Sequence, residues 1–139
     1  MTIKCLEDAL PILSMYRNKR QEYFGIICLD SGLNVISKKV LFVGGINRCL
    51  VDPRIIFWYV CKHSASGVIL FHNHPSGTLA PTDYDIDLTK SLQKGCDTLG
   101  ITLADHIIVT KHGYYSFRQH DLLKETEDKE LKIAGEKND

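Results

Sequence analysis

Apolar positions recur along the chain with two periods, one near 3.6 residues and one of 2, and the changes between them predict the elements. Ile3, Leu6, Leu10 and Leu13 fall at helical spacing, with Thr2 placed to cap, so an amphipathic helix is expected over residues 2 to about 16, loosened by Pro11. The run EYFGIICLD ends in the turn signal Asp30-Ser31-Gly32, and VISKKVLFV follows, which predicts a β-hairpin over residues 22–43 closed by Gly44-Gly45. Asp52 as N-cap and Pro53 in the first turn open a second helix with Ile56, Tyr59, Val60 and His63 on one stripe, expected to stop near Gly67. Gly67 opens the short buried strand VILF, whose end delivers His72-Asn73-His74-Pro75-Ser76-Gly77 into a loop kept irregular by Pro75, Gly77 and Pro81. From Thr82 the pattern is helical again, with Ile86, Thr89, Leu92, Cys96 and Leu99 on one side and Gly100 as the C-terminal cap. ITLADHIIV, the turn Lys111-His112-Gly113 and a returning strand over residues 114–117 make a second hairpin. Beyond Leu123, KETEDKELKIAGEKND is charged and poor in apolar anchors, as in a frayed helix or disordered tail.

Composition narrows the class. The 139 residues suit one domain over residues 21–123, preceded by the helical segment 1–20 and followed by the tail 124–139. A hydrophobic share of 44% and a charged share of 24% exclude a disordered or collagen-like chain. Net charge is zero, so sequence-independent gripping of nucleic acid is not expected; Arg17, Lys19 and Arg20 read as a solvated helix end. The five cysteines are widely spaced and form no C-x-x-C pair, which argues against a disulfide framework or a thiolate cluster and for reduced thiols in a cytoplasm. Glu7, Asp8 and Pro11 interrupt the N-terminal stretch, so neither a secretory signal nor a membrane contact is predicted.

The chemistry gathers around residues 72–85. His72 and His74 are two apart at a strand end, so both imidazoles point to one side and can converge on one ion, Zn2+ being preferred to iron or manganese on ligand type. Asp85, in the first turn of the next helix, offers a carboxylate as the third ligand and leaves a fourth position for water. Zinc lowers the pKa of such a water from about 15.7 to about 7, and a separate carboxylate must then handle its proton. Glu22 is the one acidic residue between Asp8 and Asp30. Each residue has a plainer reading: Thr82 and Asp85 fit a helix capping box, an H-x-H pair often holds nothing, and Glu22 alone is an ordinary surface charge.

The string HNHPSGTLAPTDYD nevertheless resembles the JAMM metalloprotease signature, in which H-x-H-P is followed at fixed spacing by a hydroxyl residue and an Asp, and most of all its RadC-like bacterial branch. EYFGIICLD, the Gly44 turn, Asp52-Pro53-Arg54, ADHIIV and YYSF extend the similarity over roughly residues 20–120. The resemblance implies an α/β fold, a three-layer, cytidine-deaminase-like α/β/α arrangement with a curved, mostly antiparallel sheet flanked by helices. It implies His72, His74 and Asp85 as zinc ligands, Glu22 as the residue that activates water, and Thr82 where the family usually has the Ser that steadies the oxyanion. Asp105-His106 is similar to a pair on a late strand, expected to be structural or to stand behind the ligands, because neighbours on a strand face opposite ways. The implied function is a zinc metallopeptidase or isopeptidase acting on an unidentified protein or peptide, with an extended peptide adding to the sheet edge near the site. The alternative, favoured by Thr82 in place of Ser, is a DNA-repair accessory protein with a vestigial site. The family's longer members carry a helix-hairpin-helix region before this domain; the segment before Glu22 is too short to hold one, and DNA contact attributed to that region is not expected here. Rival chemistries fail on spacing: a contiguous His-Asn-His is not the dispersed HNH nuclease pattern, H-x-E with P-C-x-x-C is missing, Cys61 and His63 do not share a helix face, and Cys96 reads as core.

Overall fold

In the computed structural model, which describes residues 1–45 and 50–123, the apolar runs become the inner strands of a sheet. Every residue of β3 (Gly67–Asn73) is buried, and so is all of β1 (Tyr23–Leu29) except its first residue, as befits strands covered on both faces. β2 (Val35–Val43) is half exposed because it lies at an edge. With β4 (Thr102–Thr110) and β5 (Gly113–Ser116) the sheet has the order β2-β1-β3-β4-β5. The pair β3/β4 is parallel and the others are antiparallel, giving the mostly antiparallel sheet expected.

Alternation along the strands builds two cores. α1 (Leu6–Leu13) and the 3-10 turn Ser14–Tyr16 place Ala9, Leu13 and Tyr16 on Ile27, Leu29, Ile69, Phe71 and Val109. On the other face α2 (Pro53–Lys62) and α3 (Asp83–Leu99) place Ile56, Val60, Leu88, Leu92 and Cys96 on Ile26, Cys28, Val68, Leu70 and Ile108. The result is a three-layer α/β/α fold. Gly25 in β1 is required by close approach: a Cβ there would lie 2.2 Å from the Phe71 ring and 2.8 Å from the Lys39 carbonyl. Gly100, at φ 72°, ends α3 in the left-handed conformation that glycine adopts without steric cost.

Several expectations need correction. The first helix starts at Leu6, not at residue 2, and Thr2 does not cap it: its hydroxyl meets Asn34 Oδ1 at 2.6 Å, pinning the N-terminus to the first hairpin. α2 stops at Lys62, ahead of Gly67, because Ser64 turns the chain at φ 51°. β3 runs on past VILF and takes in His72. On α3, Leu99 is 49% exposed while Leu88 and Gln93 are buried, so the inward stripe is rotated toward the helix start. Arg17 is no solvated charge: its guanidinium donates to the Thr110 and Lys111 carbonyls and lies 5.1 Å over the Tyr114 ring. Lys19 and Arg20 are exposed. Cys5, Cys28, Cys61 and Cys96 are free, and among the described residues no helix is long and apolar enough to cross a membrane. The charged tail lies outside the described residues.

Candidate metal centre

The centre forms where the end of β3 meets the starts of β1 and α3. Strand alternation gives His72 the same side as Val68 and Leu70, toward α2 and α3, and His74 follows on that side as the chain leaves the sheet. The loop then folds back through Gly77, at φ 89°, to Thr82, the N-cap of α3. A full capping box starts the helix: Thr82 Oγ1 accepts from the Asp85 N–H at 3.1 Å and Asp85 Oδ2 accepts from the Thr82 N–H at 2.9 Å. The capping role does not draw Asp85 away from the histidines, because the carboxylate that closes the cap also faces both imidazoles. Asp85 Oδ2 lies 3.1 Å from His74 Nε2, Oδ1 lies 3.3 Å from His72 Nε2, and the two Nε2 atoms are 2.9 Å apart.

Glu22 joins them from the start of β1, and one ligand atom from each of Glu22, His72, His74 and Asp85 lies within 4.8 Å of all the others. All four residues are buried. The backbone on either side of Glu22 is held by a residue that the sequence reading passed over. Asn73 Oδ1 accepts from the Tyr23 N–H at 2.6 Å and its Nδ2 donates to the Gln21 carbonyl at 2.9 Å, so the carboxamide between the two histidines clamps the neighbouring strand. Glu22 is also paired with Gly45 and Gly44 through its own N–H and carbonyl.

Behind the imidazoles lies a second ring of contacts. His74 Nδ1 donates to the Thr78 carbonyl at 2.7 Å, which leaves Nε2 for the centre. His72 Nδ1 is 2.7 Å from His106 Nε2, and His106 Nδ1 is 2.6 Å from Thr89 Oγ1. Thr89 was also passed over, although its place one helical turn after Asp85 puts both on one face. Asp105 points the other way: its oxygens accept from the Ser116 hydroxyl and from the backbone N–H of His106 and Arg118, tying β4 to the segment after β5. Alternation thus splits the Asp105-His106 pair between the two faces.

Burial dominates the electrostatics. It pushes the Glu22 carboxyl up to about 7, with the His74 charge pulling down and the Asp85 charge pushing up. Burial would also raise Asp85, but the His72 and His74 imidazoles beside it and the Thr82 N–H outweigh it and hold that carboxyl well below the usual carboxylate range. His72 and His106, fully enclosed, are lowered by burial. Among the described residues the imidazoles within ion-pair distance of Asp85 are those of His72 and His74. Two carboxylates and two imidazoles in one enclosed space fit a divalent cation, since buried anions are costly unless paired or bound to metal. Thr82 stands at the exposed rim with its oxygen in the helix cap.

Comparison with known proteins identifies the family. The family model described as a RadC-like JAB domain matches residues 3–122. A UPF0758 protein of Streptococcus thermophilus is 45% identical over 114 residues, covering 82% of this chain and 48% of the relative. A UPF0758 protein of Streptococcus equi subsp. zooepidemicus is 44% identical over 102 residues, 73% of this chain and 45% of its own. One from Streptococcus pyogenes serotype M49 is 41% identical over 118 residues, 85% and 52% respectively. The chain therefore spans about half the length of the curated relatives it matches. With a family match running from the first helix to the last turn around a buried Glu-His-His-Asp group, the chain belongs to the RadC-like JAB domain family.

Proposed function

We propose that this domain is a zinc-dependent amide hydrolase of the metallopeptidase or isopeptidase kind. One observation carries the reading: Glu22, His72, His74 and Asp85, from three separate segments, bring their ligand atoms within 4.8 Å of one another in a buried space. His72 Nε2, His74 Nε2 and the Asp85 carboxylate would hold Zn2+. Bound zinc supplies an activated water and polarises the amide carbonyl. Glu22 takes up the proton released as the carbonyl is attacked and hands it to the leaving amine. A carboxylate whose oxygen lies within 4.8 Å of the three ligand atoms is within reach for both transfers. Asn73 keeps that carboxylate in place through the backbone. Thr82 Oγ1, at the rim, is the hydroxyl available to steady the developing oxyanion. The substrate in this reading is an extended peptide that adds to the outer edge of β2, the strand whose C-terminal end leads to the Gly44 and Gly45 bonds with Glu22.

The test is Glu22→Gln assayed on a library of peptides and isopeptide-linked substrates. The variant is expected to keep about one zinc per chain and to lose cleavage. Cleavage at the wild-type rate would remove Glu22 as the base, and a wild-type protein that takes up no zinc would remove the reading altogether.

A further inference from the structure

We propose that Thr89 and His106 are positioning residues that fix which nitrogen of His72 carries the proton, leaving Nε2 as the electron-pair donor toward the centre; the inference rests on the metal-site reading above. Its direction follows from one backbone carbonyl. The Thr89 hydroxyl lies 2.7 Å from the Asp85 carbonyl, which can only accept, so the hydroxyl proton is committed there. Thr89 Oγ1 therefore accepts from His106 Nδ1 at 2.6 Å, and His106 must be protonated on Nδ1. Its Nε2 then carries the lone pair and accepts from His72 Nδ1 at 2.7 Å. The proton of neutral His72 is thus placed on Nδ1, and Nε2 faces His74 Nε2 at 2.9 Å and Asp85 Oδ1 at 3.3 Å with its lone pair free.

The reverse order is disfavoured at each link. A Thr89 hydroxyl turned toward His106 would abandon the Asp85 carbonyl, and a proton on His106 Nε2 would drive the His72 proton onto the ligating atom. Water is kept out, with Thr89 at 1% and both His72 and His106 at 0% exposure. The rings cannot readily turn over: His106 stacks on Phe117 at 4.4 Å, and Phe24 stacks on His72 at 5.7 Å. The relay starts at the carbonyl of Asp85, so one ligand residue sets the tautomer of another through a single turn of α3.

Thr89→Val keeps the side-chain volume and removes the hydroxyl, while Thr89→Ser keeps the hydroxyl. Chelator competition is expected to show zinc affinity reduced about 10- to 100-fold in Thr89→Val, the range typical when a partner behind a ligating His is lost, with Thr89→Ser close to wild type. Long-range 1H–15N spectra of the zinc-free proteins give an independent readout. They should show His72 protonated on Nδ1 in wild type and Thr89→Ser, and a shifted tautomer population in Thr89→Val. Wild-type zinc affinity in Thr89→Val overturns the proposal, as does weakened affinity with an unchanged His72 tautomer, which would make Thr89 merely structural. His106→Phe, which keeps the stacking and removes both nitrogens, is the second variant should Thr89→Val fail to fold; unchanged zinc affinity there overturns the proposal too. If wild type binds no zinc, the metal reading fails by itself, and the tautomer spectra still decide the relay.

Discussion

The Asn73 side chain is buried and makes two bonds to the backbone around Glu22. Asn73→Ala leaves a Tyr23 N–H without its acceptor, and denaturant unfolding should show a loss of about 1–3 kcal/mol. Hydrolysis should fall while zinc uptake persists, because the ligands themselves are untouched. Glu22 makes a second prediction, on pH. Its folded carboxyl lies above the ordinary value of 4.5, at about 7, so the metal-free folded state holds that proton over the window between the two values. The contribution of Glu22 to stability is present in full below 4.5 and is lost as pH rises through about 7. Wild type minus Glu22→Gln, measured by thermal melts of metal-free protein, should therefore become less favourable to wild type across that window; a flat difference would count against the raised carboxyl. At this scale the convergence of His72, His74 and Asp85 was legible because strand alternation and the spacing to Asp85 are arithmetic on the sequence. Asn73 was not, because a string of letters does not say that its carboxamide reaches sideways to another strand.

Among the elements, β1 shows how a strand can be read correctly and its reason missed. The run FGIICL announces a buried strand, yet nothing in it says that Gly25 lies beneath the fully buried Phe71 ring. Gly25→Ala should destabilise by about 1–3 kcal/mol through overpacking. Zinc affinity should be spared, since Gly25 and Phe71 meet on the α1 face of the sheet and the centre lies on the other. Reduced zinc affinity would reveal coupling between the faces that this packing does not provide. The element ends were the least legible. A plausible cap at Thr2 was claimed by the hairpin turn at Asn34, four residues before the helix begins at Leu6. β3 outran its apolar core because His72 pairs with Phe24 and Ile108 on its two neighbours and Asn73 with Val109, a tertiary fact that local propensity does not carry.

For the whole molecule, the strand order matters more than any one element. β3 is central, its neighbour β1 begins beside Glu22, and its other neighbour β4 carries His106, so the middle of the sheet supplies His72, His74 and Glu22 and the ring behind them, while α3 brings Asp85. Two separate apolar clusters hold the layers together without reference to an ion. Metal removal is accordingly expected to lower the melting temperature without unfolding the domain at 25 °C. Free zinc at a thousandfold excess over its dissociation constant would restore about 4 kcal/mol. Circular dichroism with and without chelator checks this, and a domain that unfolds outright on chelation would show the ion to be structural. The layered architecture and the location of the site were legible because motif and periodicity agree on them. The sheet order rests on pairings between distant segments, which periodicity does not carry.

One carboxylate shuts the first turn of α3 and also looks into the imidazole pair. Winding that helix with its cap closed therefore also turns the Asp85 carboxylate toward His72 and His74. Helix start and site geometry are at this point set by a single side chain that answers to both.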